Sequence, residues 1–247
     1  MAGLVMLSGC KGPNAPSTRL TIFAASSLTD VFQDLEREFE AQTPDVDVVI
    51  ATAGSQILRF QIEQGATPDI FASAHLDHMK LLQDTGYIPE HETFGSNRLA
   101  IVVPQENPAD ISTVADLPKA KRIVLGTEEV PVGMYTRLFL ELAHKRMGGH
   151  YRAEVSQKVA SRESNVRQVL AKVELGEADA AVVYVTDATP HRRVRVISIP
   201  EALNPTANYQ MGMLAESPSP VYAQRWLKFV SSHRGQTILE KHGFKVD

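Results

Sequence analysis

The sequence predicts an α/β protein of two lobes, each a mixed, mostly parallel sheet flanked by helices, joined by two crossovers. Three observations predict it. Short apolar runs alternate with helix-period segments from residue 19 onward. A second block of strands and helices follows residue 98. The C-terminal stretch is helical and has no sheet of its own. At 247 residues the chain can bury a sizeable core either as one large domain or as two lobes.

Residues 19–24 (RLTIFA) read as a buried strand, after which Leu28, Val31, Phe32, Leu35 and Phe39 recur at helical spacing. Residues 46–51 form a second strand, and a helix from about Ser55 stops at Gly65, a natural residue just past a helix end. Residues 69–72 (DIFA) are a third strand; the next helix carries Leu76, Met79 and Leu82 and stops at Gly86. Three βα units in succession call for a mostly parallel sheet covered on both faces. Residues 98–103 (RLAIVV) open the second block, and 104–116 are loop-like. Residues 122–126 form a strand, and a helix runs from about Gly133 through Leu142, ending before Gly148-Gly149. A further helix from Val166 carries Val169, Leu170 and Val173 and ends at Gly176. Residues 180–184 (AAVVY) are a continuous apolar strand, with 194–199 and 209–214 as further strands. Ser219 as N-cap and Pro220 at the first helical position open a helix with Trp226, Leu227 and Val230. The simplest packing returns this tail to the first lobe. Lobe 1 is then 19–97 plus 205–247 and lobe 2 is 98–204, with crossovers near 96–99 and 198–208 and a cleft between.

Composition is that of a globular protein, with 43% hydrophobic and 22% charged residues and a net charge of −4. This balance argues against a nucleic-acid partner, which needs a broad basic surface. The cluster His191-Arg192-Arg193-Val194-Arg195 is too short to change that and reads as a solvated loop edge. Cys10 is the only cysteine, so no intramolecular disulfide forms. Residues 1–10 (MAGLVMLSGC) end in Leu7-Ser8-Gly9-Cys10, which resembles the end of a bacterial lipoprotein signal peptide. The expectation is a signal remnant and tether over 1–18, lipidated at Cys10, with KGPNAPS as the flexible tether. The apolar run lacks a basic leader, which suggests a late start or a truncated chain; an ordinary N-terminus with a chance cysteine is the alternative. No later segment is long and apolar enough to span a bilayer.

The helix starts carry the chemistry. Four of them present small neutral donors: Ala25-Ser26-Ser27, Gly54-Ser55, Pro131-Val132-Gly133 and Ser164-Asn165. A helix N-terminus has unpaired N–H groups and about half a positive charge from the aligned peptide dipoles. Several such ends converging on one cleft bind an anion without lysine or arginine, and serine hydroxyls add donors that rotate to suit it. The plainer reading is capping: Ser27-Leu28-Thr29-Asp30 fits a capping box, and Ser55 can cap its own helix. Two of these serines, however, follow the carboxyl ends of strands, where α/β sheets collect ligands.

Residues 21–28 (TIFAASSL), Gly54-Ser55-Gln56, 68–73 (PDIFAS), 130–135 (VPVGMY), Asn165-Val166-Arg167 and 182–188 (VVYVTDA) together resemble the periplasmic molybdate-binding protein family of ABC importers. The resemblance is collinear from about Arg19 to Gly243-Phe244, and six pieces in order are far more specific than any one. It implies the type II two-lobed periplasmic-binding-protein fold and a role in capture of molybdate or tungstate for a membrane permease. It also implies a periplasmic or cell-surface location, a monomeric chain, no cofactor and no catalytic residue. It places the oxyanion on Ser27 and Ser55, on the backbone N–H groups of Val132 and Val166, and on the Tyr184 phenol. Some relatives have alanine where Val132 stands; a backbone donor survives that change, and only pocket width is altered.

An all-donor site suits unprotonated dianions such as molybdate, tungstate and sulfate. Hydrogen phosphate would leave its proton facing donors, at a cost of roughly 1–3 kcal/mol or more. Five or more charge-assisted hydrogen bonds of about 1.5–3 kcal/mol each, offset by closure, imply binding on the order of −8 to −11 kcal/mol. Glu128, Glu129, Glu163 and Asp187 lie near the motifs; their plain role is to sit exposed at helix starts, and the sharper one is direct ligation of the metal. His75 and His78 at i and i+3 lack a third metal ligand and read as a surface helix. No G-x-S-x-G elbow or G-x-x-x-x-G-K-[ST] loop occurs. The competing readings are a same-fold binder of sulfate, a ferric-anion complex or an organic acid, for which Arg59, Arg137 or Arg167 would supply a fork, and an enzyme on a related scaffold.

Overall fold

A computed structural model describes residues 18–189 and 193–246. Cys10, the 11–17 tether, His191 and Arg192 lie outside the described residues. The elements run β1 (Thr18–Ala25), a 3-10 turn (Ser26–Leu28), α1 (Thr29–Gln42), β2 (Val46–Ala53), α2 (Ser55–Glu63), β3 (Ile70–Ser73), α3 (Leu76–Asp84) and β4 (His91–Asn97). There follow β5 (Leu99–Pro104), β6 (Ile123–Gly126), α4 (Pro131–Met147), α5 (Tyr151–Gln157), β7 (Val159–Glu163), α6 (Val166–Glu174), β8 (Ala180–Tyr184), α7 (Val185–Ala188) and β9 (Val194–Ser198). The chain closes with β10 (Ala207–Met213), α8 (Pro220–Val230) and α9 (His233–Lys241).

Among the described residues the strands form two five-stranded sheets of the same design, ordered β2-β1-β3-β10-β4 and β7-β6-β8-β5-β9. In each, the first three strands pair in parallel and the fourth is antiparallel to both its neighbours. The reversed strand is in each case the one by which the chain enters that sheet from the other, β10 and β5. This is the predicted two-lobed α/β fold. The chain passes between sheets at Arg98 and again between Ser198 and Ala207. The two passages are tied side by side: the Asn204 amide donates to Leu99 O at 2.8 Å and accepts from Leu99 N–H at 3.0 Å.

Local chemistry accounts for the elements. The inner strands β3, β5 and β8 are almost wholly buried and, apart from Ser73 at the end of β3, apolar, as strands covered on both faces must be. Gly65 and Gly86 sit at φ +97° and +82° just past α2 and α3, where residues with a Cβ are disfavoured. The tail returns to the first sheet: Trp226 of α8 meets Phe32 and Phe39 of α1 at ring distances of 5.8 and 5.2 Å. Asp69 fastens this return, its buried carboxylate accepting from Thr21 N–H, Ser217 Oγ and Ser219 N–H at 2.6–2.7 Å.

Several elements escape the sequence pattern. β4 (HETFGSN) has no run of apolar residues, and α5 and β7 are short and carry few apolar residues. α4 begins at Pro131 rather than near Gly133, because proline suits the first helical position. The end of the 104–116 loop enters a 3-10 turn, Val114–Lys119, closed by a capping box of Thr113 and Asp116. Ser219 precedes α8, but its hydroxyl bonds Arg19 O at 2.9 Å instead of capping.

Candidate functional site

Four helix starts meet at the gap between the two sheets. Ser26 and Ser27 follow β1, and Gly54 and Ser55 follow β2, both at carboxyl ends of parallel strands. Opposite them lie Val130, Pro131 and Val132 at the start of α4, Val166 at the start of α6, and Tyr184 at the end of β8. These residues, with Ala25 and Ala74, line one small cavity. The space open to the centre of a water-sized sphere is about 10 Å³. That is the room of one water or one compact ion, far below the roughly 300 Å³ and more of an organic-ligand pocket. All five residues singled out from the sequence, Ser27, Ser55, Val132, Val166 and Tyr184, face this space.

Among the described residues no charged side chain lines the cavity. The first N–H groups of each helix have no intrahelical partner, and the dipoles of α2, α4 and α6 bring positive potential to their starts. Pro131 has no N–H, so Val132 carries the first donor of α4 that the lining provides.

The serines do not cap. Neither α1 nor α2 has a side-chain cap, against the capping-box reading of Ser27 and the self-cap reading of Ser55. Ser27 Oγ instead accepts from the Tyr209 hydroxyl at 2.9 Å, and Ser55 Oγ accepts from Ala74 N–H at 3.2 Å. Each hydroxyl is thereby free to turn its own hydrogen to the cavity. Of the helix starts at the cavity, the one with a side-chain cap is that of α6, where the Asn165 amide oxygen accepts from Gln168 N–H at 3.1 Å. Tyr184 is 1% exposed, and its hydroxyl has no hydrogen-bond partner within the protein. Burial, followed by the neighbouring Tyr209, Tyr135 and Asp187, pushes its pKa well above 10, so it remains a phenol and a donor.

Contacts across the gap hold the halves together. Gln56 Nε2 donates to Ser164 O at 2.8 Å, His78 Nε2 lies 3.0 Å from Glu129 O, and Arg167 reaches Ser26 O at 3.3 Å and Asp30 at 2.6 Å. Gly54 lies so close to the opposite half that a Cβ there would stand 2.4 Å from Ser164 O.

Two expectations are corrected. Asp187 is not exposed at a helix start but 1% exposed, 3.3 Å from Arg167 Nε, and burial raises its pKa to about 7 against the pull of Arg167. It does not line the cavity, and neither do Glu128, Glu129 or Glu163, so direct metal ligation by a carboxylate has no support. His78 is buried rather than on a surface face, and burial lowers its pKa to about 4. Among the described residues no group of three or more His, Cys, Asp or Glu could hold a metal.

No arginine fork faces the cavity. Arg59 pairs with Glu63, Arg137 is exposed, and Arg167 is taken by Asp30 and Asp187. Tyr209 and Gln56 have no role in the reading of the sequence. Gln56 belonged to the quoted Gly-Ser-Gln motif, whereas Tyr209 looks like any core aromatic of a strand.

A family model described as bacterial extracellular solute-binding protein matches residues 20–245. The molybdate-binding protein ModA of Mycobacterium tuberculosis is 34% identical over 236 residues, covering 94% of this chain and 87% of that protein. The solved substrate-binding domain of a putative molybdenum ABC transporter from Clostridium difficile is 27% identical with a TM-score of 0.70, covering 94% of this chain and 100% of that one. The periplasmic molybdate-binding protein of Azotobacter vinelandii, at 16% identity, shares the fold with a TM-score of 0.80 over 92% of this chain and 99% of that one. A two-sheet fold with a neutral cavity between the sheets and a family match over nearly the whole described chain lead to one conclusion: the chain belongs to the bacterial extracellular solute-binding protein family.

Proposed function

We propose that this protein captures molybdate, and tungstate, between its two halves for delivery to the membrane permease of an ABC importer. The observation that carries the reading is a cavity of ionic size, lined by helix starts and hydroxyls from both halves and by no charged side chain. Ser27, Ser55 and Tyr184 supply O–H donors, and Val132 and Val166 supply backbone N–H groups. A doubly negative tetrahedral ion carries enough acceptor lone pairs for all five. The buried Tyr184 hydroxyl finds in such an ion the partner it lacks within the protein. The names of the relatives, molybdate-binding and molybdenum-transporting, support the same ligand.

Capture is a two-step event in this reading. The anion meets Ser27 and Ser55 on the first half, and the second half then swings about the two passages to bring Val132, Val166 and Tyr184 onto it. Closure excludes water, which strengthens every hydrogen bond to the charge. In this reading the donors bind and orient the anion, and delivery rather than chemistry follows. The Leu7-Ser8-Gly9-Cys10 sequence supports a lipid anchor at Cys10 that keeps the protein beside its permease. Among the described residues no helix is long and apolar enough to cross a membrane.

Sulfate offers the same charge and shape, so the neutral lining admits it and cavity width must discriminate. Calorimetric titration of the protein with molybdate, tungstate, sulfate, phosphate and citrate tests the assignment. Sub-micromolar binding of the first two is expected, falling by orders of magnitude in the Ser27→Ala/Ser55→Ala double variant with an unchanged circular dichroism spectrum. A response to citrate alone, or retained affinity in the double variant, overturns it.

A further inference from the structure

A serine hydroxyl is amphoteric, so a cavity lined by serines is not donor-only by composition. Hydrogen bonds behind the lining settle which way each hydroxyl points. Asn97, the last residue of β4, is buried, and its amide oxygen accepts from Arg98 N–H at 2.8 Å. Its NH₂ group therefore faces the other way, donating to Thr186 Oγ1 at 2.7 Å, and it stands on the Tyr209 hydroxyl's side. The buried Tyr209 hydroxyl has one hydrogen to place, and Ser27 Oγ, 2.9 Å from its oxygen, is the acceptor in reach. Reversing this bond would aim the Tyr209 hydrogen at an amide that is itself a donor. Tyr209 is fully buried, so no water rescues the reversed state. Ser55 is set similarly, by Ala74 N–H, a backbone donor that cannot turn.

We propose that Tyr209 is a specificity-determining positioning residue: its hydroxyl locks Ser27 as a donor to the bound anion and so excludes anions that carry a proton. The inference rests on the oxyanion reading of the cavity and deepens it. Rejection of hydrogen phosphate then comes from residues behind the lining, through the chain Asn97, Tyr209, Ser27. Replacing Tyr209 by phenylalanine keeps the ring among Tyr184, Phe94 and Phe244 and removes only the hydroxyl. Ser27 can then turn its own hydrogen into the space the hydroxyl vacated and accept the proton of hydrogen phosphate.

The test is calorimetric titration of wild type and Tyr209→Phe with molybdate, sulfate and inorganic phosphate, above neutral pH where phosphate is the hydrogen phosphate dianion. Wild type should bind hydrogen phosphate at least about tenfold more weakly than sulfate, its match in size and charge. Tyr209→Phe should narrow the sulfate-to-phosphate ratio by about tenfold, because phosphate gains an acceptor while sulfate does not. A purely structural role would weaken all three anions by one factor and leave the ratio unchanged, which overturns the proposal. Asn97→Asp is the second variant: it gives the Tyr209 hydrogen a carboxylate to turn to, and should narrow the same ratio with Tyr209 intact. Wild type that takes hydrogen phosphate as well as sulfate refutes the lock whatever the variants do. Wild type that binds none of the three defeats the oxyanion reading and this inference with it; molybdate binding with an unaltered ratio in both variants defeats this inference alone.

Discussion

Gly54→Ala separates closure from folding. Gly54 has φ −62° and ψ 139°, a conformation any residue adopts, so alanine strains nothing within the first half. Across the gap the added Cβ would stand 2.4 Å from Ser164 O, about 1 Å inside the 3.4 Å at which ordinary contact begins. That carbonyl cannot swing aside: Ser164 is held by Gln168 Oε1 through both its N–H and its hydroxyl, and Asn165 caps the helix that follows. The Gln56 amide, also within 2.6 Å of the new Cβ, is a flexible group and moves freely once the halves part. Overpacking of this kind costs about 1–3 kcal/mol, here borne by the closed form only. Molybdate affinity should therefore fall by about 5- to 150-fold. The melting temperature of the ligand-free protein should hold or rise slightly, because alanine reduces the freedom of the unfolded chain. Calorimetric titration and a thermal melt on one preparation read both quantities. Affinity within about twofold of wild type would refute the closure geometry, and a parallel loss of ligand-free stability would show the glycine to be needed for folding instead.

Removing the Tyr184 hydroxyl with Tyr184→Phe should weaken oxyanion binding by about 10- to 150-fold, the worth of one hydrogen bond to a charge. The same change deletes a buried hydroxyl without a protein partner, so the ligand-free melt should not fall; a drop of several degrees would show that the hydroxyl serves the fold. Asp187 predicts a pH dependence of stability. Burial raises its folded pKa to about 7, so between the ordinary carboxylate range and pH 7 the folded chain holds a proton that the unfolded chain has released. Its contribution to stability is therefore most favourable in acid and declines as pH rises to about 7, with a penalty of a few kcal/mol above that. Arg167 and Asp30 face this carboxylate and modulate the effect without reversing its direction. Asp187→Asn should flatten the melting temperature between pH 4 and about 7 and raise it at pH 8; an unchanged pH profile would contradict this assignment.

The amino-acid sequence by itself determined the class of fold and the neighbourhood of the site. Apolar runs such as AAVVY and glycine stops such as Gly65 and Gly86 are local signals, because strand burial and helix termination depend on a few adjacent residues. Serines directly after apolar strands mark anion-ready helix starts for the same reason, whereas the choice of Ser27, Ser55, Val132, Val166 and Tyr184 as the oxyanion set comes from the family resemblance. Strands with mixed composition, β4 and β7, could not, since their pairing partners lie far away in the chain. Tertiary structure alone decided which way each hydroxyl points. Ser27 does not cap; its hydroxyl accepts from Tyr209, 182 residues away. Asp187 is a buried carboxyl with a raised pKa and not an exposed one, because the packing around α7 removes water from it. Hydrogen-bond direction and desolvation arise from groups brought together by the fold, and no spacing along the chain encodes them.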